Sequence, residues 1–102
     1  MRAILTRGAT RQLQAIFACT ADEDPLAAGR FVARVEEVRI LLAENPLIGR
    51  KLPHRRLRWF PLTPFPYLIY CEVCGATVHI VRIWHMSRRR ASLHEAAVPF
   101  AR

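Results

Sequence analysis

Side chains able to move protons or hold phosphate crowd the second half of this 102-residue chain. His54, His79, His85 and His94 all lie there, among Arg50, Lys51, Arg55, Arg56 and Arg58, then Arg82, then Arg88, Arg89 and Arg90. Cleaving RNA through its 2′-hydroxyl needs a base, an acid and cations around the phosphorane-like transition state. Proton transfer is commonly the work of His, and charge stabilisation that of Arg or Lys. His54, His85 or His94 with Lys51, Arg55, Arg82 and Arg88 contain those parts. A plainer reading stands beside it: His85 as a hydrogen-bonded strand end, and Arg88–Arg90 as a solvated basic turn. Trp59, Phe60, Phe65 and Tyr67 read as core or strand aromatics, or, interleaved with Arg55, Arg56 and Arg58, as a stacking surface for RNA.

The charge is unevenly spread. Residues 1–48 balance Arg2, Arg7, Arg11, Arg30, Arg34 and Arg39 against Asp22, Glu23, Asp24, Glu36, Glu37 and Glu44, so the whole excess of +8 sits on residues 49–102. Clustered Arg favours an anionic partner, nucleic acid or an acidic protein segment, through long-range attraction and bidentate contacts. Cys71-Glu-Val-Cys74 has C-x-x-C spacing with His79 behind it, but no second pair completes a four-ligand zinc site, so neither metal nor cofactor is expected. Cys19, Cys71 and Cys74 make an odd count with no export signal and no apolar run of membrane length, which predicts reduced thiols and a cytoplasmic protein with no membrane partner.

The elements follow from periodicity and punctuation. The length and the 52% hydrophobic content suit one domain over residues 1–102. Arg2 to Leu5 is a short strand ending at Thr6, a helix cap. Ala9, Leu13, Ile16, Phe17 and Thr20 form one face of a first helix running to about Thr20. Asp24 caps and Pro25 opens a second helix, whose stripe is Ala28, Phe31, Val32, Val35, Val38, Leu41 and Leu42 and which stops at Asn45-Pro46. A basic loop from Arg50 to Arg56 leads to a strand over Leu57 to Leu62, shortened by Pro61, Pro64 and Pro66. Tyr67 to Val73 and Thr77 to His85 then form a hairpin. A possible short C-terminal helix reaching Ala97 ends the chain.

With Gly75-Ala76 as a two-residue turn, Cys74 faces Thr77 and Ile69 faces Arg82. One face then carries Ile69, Cys71, Val73, Val78, Ile80, Arg82 and Trp84. The other carries Leu68, Tyr70, Glu72, His79, Val81, Ile83 and His85. The first resembles a core face, in which Arg82 is anomalous. Either Arg82 reaches the rim or the register shifts by one residue.

This α+β order of strand, helical hairpin and antiparallel meander resembles the RelE/ParE toxins of type II toxin–antitoxin systems. The marks run from Ile4 to about Leu93. They are Leu5-Thr6-x-x-Ala9 with Leu13, Ala28-x-x-Phe31-Val32, Asn45-Pro46-Leu-Ile-Gly49-Arg50, Phe65-Pro66-Tyr67-Leu-Ile-Tyr70 and Ile80-Val-Arg82-Ile-Trp-His85-x-x-Arg88. The resemblance implies a toxin neutralised by a cognate antitoxin. RelE-like members are ribosome-dependent endonucleases that cut messenger RNA, and on that branch Arg82, His85 and Arg88 would be catalytic. ParE-like members inhibit DNA gyrase. Tyr67 stands where the nucleases tend to carry Arg, and no Tyr follows the last strand. His85-x-x-Arg88 looks like ParE and its plasmid-stabilisation relatives, although their frequent acidic residue after that Arg is Arg89 here. Gyrase inhibition without catalysis is therefore the expected activity, with the ribosome and messenger RNA as the alternative target. A non-toxic nucleic-acid-binding module ranks third. Arg50, Lys51, Arg55, Arg56, Arg58 and Arg88–Arg90 are the expected contacts to target or nucleic acid, and a disordered acidic antitoxin segment would also suit them.

Overall fold

The computed structural model describes residues 1–87. Arg88, Arg89, Arg90, His94 and the expected C-terminal helix lie outside the described residues. The elements are β1 (Arg2–Leu5), α1 (Arg7–Glu23), α2 (Pro25–Glu44), β2 (Arg50–Lys51), β3 (Leu57–Pro61), β4 (Tyr67–Cys74) and β5 (Thr77–His85). The five strands form one sheet in the order β1-β5-β4-β3-β2. β3 to β5 pair antiparallel as expected, β2 adds antiparallel to β3, and β1 joins β5 in parallel. No helix among the described residues is long and apolar enough to cross a membrane.

Caps set the helix ends. The Thr6 hydroxyl accepts from the Ala9 amide at 3.2 Å, a cap worth about 1 kcal/mol. α1 runs past Thr20 to Glu23 because no residue from Ala21 to Glu23 breaks a helix. Asp24, in extended geometry, ends it, its backbone N–H donating a hydrogen bond to the Thr20 carbonyl. The Asp24 carboxylate then accepts from the Ala27 amide at 3.1 Å, and Pro25 opens α2. One residue thus closes one helix and starts the next. Asn45 closes α2 with its amide on the Leu41 carbonyl.

α2 supplies most of the helical contribution to the core. Ala28, Phe31, Val35, Val38 and Leu42 are buried at alternating spacings of three and four, the last four in one cluster with Ala3, Ile69, Cys71, Val78, Ile80 and Ile83 of the sheet. α1 buries only Ala9 completely; Leu13 and Ile16 pack at the margin, and Phe17, expected on the same face, is 42% exposed. The helical ridge through Ala9, Leu13 and Ile16 meets the sheet, and Phe17 lies one position, about 100°, round from Ile16.

The hairpin keeps its turn and changes its register. Gly75 sits at φ +60°, and Cys74 pairs with Thr77, but the ladder slips between Tyr70 and Cys71. Cys71 faces Ile80 and Tyr70 faces Arg82, leaving Val81 as an extra residue. Ile69 therefore pairs with Ile83, not Arg82. This bulge corrects both expected faces: Ile83 and His85 turn toward the helices, and Arg82 and Trp84 turn to the helix-free side. The anomaly at Arg82 disappears with it. The expected basic loop is also partly strand, since Arg50 pairs with Trp59 and Lys51 with Arg58. Gly49 precedes it because a Cβ there would lie 2.9 Å from the Trp59 carbonyl oxygen.

Val35→Asp should remove the cooperative unfolding transition, since an unpaired charge in this core costs about 3 kcal/mol or more. Denaturation of Val35→Asp beside the exposed-face variant Glu36→Gln checks the assignment; like transitions in both would refute it. Burial also raises the Cys71 thiol from its ordinary value of 9.0 to about 11 and the Tyr70 phenol from 10.0 to about 12. Both protons are held more tightly in the folded state. Their contribution is whole below pH 9 and is lost as pH rises through about 11 to 12. The urea midpoint should accordingly fall across that window, and less steeply in Cys71→Ala.

Candidate functional site

The face of the sheet away from the helices carries a second, smaller apolar cluster. Leu52, Leu57 and Tyr70 are buried in it, with Trp59, Val81 and Trp84 packed against them. Strand pairing lines up Arg50, Trp59, Tyr70 and Arg82 in one row across β2, β3, β4 and β5. The Arg50 guanidinium lies 5.7 Å from the centroid of the Trp59 ring, and Arg82 stands at the same distance from Trp84. Both are within cation–π range. The row therefore presents two cations steadied by indole rings on an apolar base.

The other basic residues have different roles. Arg58 donates to the carbonyls of Gly49 at 2.9 Å and Leu47 at 3.3 Å, tying the α2–β2 connection to β3. Lys51 and Arg56 are exposed, and Arg56 stands 4.0 Å from Glu72. Arg55 is half-buried beside His54, an exposed non-glycine at φ +57° in the β2–β3 turn. That turn sits at the Leu57–Glu72–His79 end of the sheet, whereas His85 pairs with Tyr67 at the opposite end. Five residues of β4 separate the two rows, roughly 16 Å at strand rise. His54 and Arg55 are thus not brought together with His85. Cys71 and Cys74 project from opposite faces of β4, Cys71 into the core and Cys74 toward Glu72 at 3.6 Å. Their C-x-x-C spacing, which favours chelation in a turn, prevents it in a strand.

At the far end of β5 the sheet edge passes from strand to helix. β1 pairs with β5 only as far as Ile80. Beyond it, the Thr6 hydroxyl donates to the Val81 carbonyl at 3.4 Å, and the Gln12 carboxamide oxygen accepts from the Ile83 amide at 2.8 Å. Between α1 and this end of β5 lies a cleft of about 330 Å³, lined by Gln12, Ala15, Ile16, Tyr67, Arg82, Ile83, Trp84 and His85. The Tyr67 ring stands 5.2 Å from Phe31 and 4.8 Å from His85. His85 Nδ1 accepts from the Ser87 amide at 2.9 Å, so the neutral ring carries its proton on Nε2. Sequence reasoning missed Gln12: its partner is 71 residues away, and no local pattern marks it.

Arg58→Gln should destabilise by about 1–2 kcal/mol through its two orphaned carbonyls, whereas Arg50→Gln and Arg56→Gln should stay within about 0.5 kcal/mol. Chemical denaturation of the three variants would separate the structural arginine from the surface ones.

A strand, a helical hairpin and a mostly antiparallel sheet with a basic, aromatic face make an α+β fold of the kind found in small toxins. The chain belongs to the ParE toxin family of type II toxin–antitoxin systems, whose family model matches residues 3–90. It is 31% identical to Toxin RelE1 of Caulobacter vibrioides over 83 residues, covering 80% of this chain and 89% of that one. It is 44% identical to Toxin RelE2 of the same organism over 64 residues, 63% of this chain and 70% of that one. Among solved structures it is similar to a chain of a chromosomal ParDE toxin–antitoxin system from P. aeruginosa. The TM-score is 0.73 at 26% identity, over 83% of this chain and 95% of that one. An antitoxin is accordingly its partner.

Proposed function

We propose that this toxin acts by binding and inhibiting DNA gyrase, without cleaving nucleic acid, and that its antitoxin neutralises it. The observation that carries this reading is the setting of Tyr67. The residue that replaces the nucleases' phosphate-binding Arg is wedged between Phe31 and His85 as an aromatic support. It brings no cation to the end of the sheet where His85 lies. His85 itself has Nδ1 engaged by the Ser87 amide, which leaves Nε2 to meet a partner as a donor. A toxin so equipped works through surface complementarity, and the Arg50–Trp59–Tyr70–Arg82 row provides a surface rich in the Arg, Trp and Tyr side chains that dominate protein interfaces.

The second reading, a RelE-like ribosome-dependent nuclease, draws on that same row, because cations over indole rings also suit single-stranded RNA. On this branch Arg82 would hold phosphate near His85, and Arg88, outside the described residues, would be the third catalytic side chain that the resemblance implies.

Purified toxin should inhibit gyrase supercoiling and leave ribosome-bound messenger RNA intact. Arg50→Gln together with Arg82→Gln should weaken that inhibition by about tenfold or more, as loss of interface anchors does. Messenger RNA cleaved at ribosomal A-site codons, with supercoiling unaffected, would reverse the assignment.

A further inference from the structure

The cleft between α1 and the end of β5 has a lining with one-sided polarity. None of its eight lining residues is acidic. The Gln12 carboxamide spends its oxygen on the Ile83 amide, so the end left to face a ligand is the NH₂ donor. His85 spends Nδ1 on the Ser87 amide and keeps its proton on Nε2. Arg82 adds positive charge to the wall. Ala15, Ile16 and Ile83 make the remainder apolar. Gln12 is positioned by the β5 backbone at Ile83 and His85 by the Ser87 amide just beyond that strand, which makes both donors preorganised for an acceptor.

Ring geometry narrows the ligand. Tyr67 packs against Phe31 and His85, and Trp84 is paired with the Arg82 guanidinium. Within the cleft the Tyr67 ring is held by packing against Phe31 and His85 and is not a free stacking platform, and the remaining lining suits a small anionic acceptor with apolar flanks. We propose that this cleft receives an Asp or Glu carboxylate of the antitoxin, with Gln12 Nε2 and His85 Nε2 donating to it and the flanking apolar antitoxin side chains seated on Ala15 and Ile16. Charge complementarity identifies the occupant: a chain with a net charge of +8 is matched by an acidic segment. The inference rests on the chain's being a toxin with an antitoxin partner, and not on gyrase as the target.

Gln12→Glu tests it directly. The substitution keeps an oxygen for the Ile83 amide and replaces the NH₂ donor with a second carboxylate oxygen. His85→Phe keeps the ring against Tyr67 and deletes the Nε2 donor. Calorimetric titration of the full toxin with its antitoxin should show affinity reduced by about tenfold or more in Gln12→Glu and measurably in His85→Phe, with thermal midpoints near that of the parent. Changing one antitoxin carboxylate to its amide should abolish the Gln12→Glu penalty. If Gln12→Glu does not fold, His85→Phe and the antitoxin carboxylate scan decide the matter. Unchanged affinity in both toxin variants overturns the proposal. So does a Gln12→Glu toxin that binds antitoxin normally but no longer inhibits gyrase, since the cleft would then serve the target. Parent toxin that leaves gyrase untouched while Gln12→Glu weakens antitoxin binding would refute only the gyrase reading.

Discussion

One extra residue, Val81, sets the arrangement of the whole His85 end of the sheet. Without the bulge, alternation along β5 would send Arg82 and Trp84 into the apolar space beneath the helices and Ile83 out of it. With it, Ile83 completes the core with Phe31 and Val35, and Arg82 joins Arg50, Trp59 and Tyr70 on the open face. His85 is turned against Tyr67 by the same shift. The basic row and the donor-lined cleft are two products of one irregularity. Bulges recur where a side chain must be re-aimed near a functional surface.

The bulge depends on α1 for its backbone accounting. Where β1 ends, the carbonyl of Val81 and the amide of Ile83 would lose ladder partners, and side chains at the start of α1 take their place. Thr6 serves twice, as helix cap and as donor to the bulge. Helix position and strand irregularity are thereby coupled, and the cleft lies at the join between them.

The arginines divide by environment. Arg58, Arg34 and Arg39 are bonded to main-chain carbonyls, those of Gly49 and Leu47, of Thr63 and of Ala3 respectively. Arg39 also pairs with Glu36, whose carboxyl it holds below its ordinary range through their hydrogen bond. A guanidinium on Ala3, in an edge strand, and two exposed basic residues in the edge strand β2 also discourage pairing with a second sheet. Net charge alone makes no distinction between these structural cations and Arg50, Lys51 and Arg56, whose side chains are exposed.

Local signals determined the elements and, through the resemblance, the family. Thr6, Asp24 with Pro25, and Asn45 with Pro46 act on their own neighbours, and the stripe of α2 from Ala28 to Leu42 is a repeat within one segment, so each is legible from the chain. Gly75 fixed the turn for the same reason. Tertiary structure decided what joins distant segments: the slip at Tyr70, the exposure of Phe17, the pairing of Arg50 with Trp59, and the use of Gln12 by Ile83. A bulge leaves no mark in hydrophobic alternation when both candidate faces contain apolar residues, as both faces of β4 and β5 do. The cleft was invisible for a related reason. Its donors are defined by which of their atoms the backbone consumes, and that is settled only when helix and strand meet.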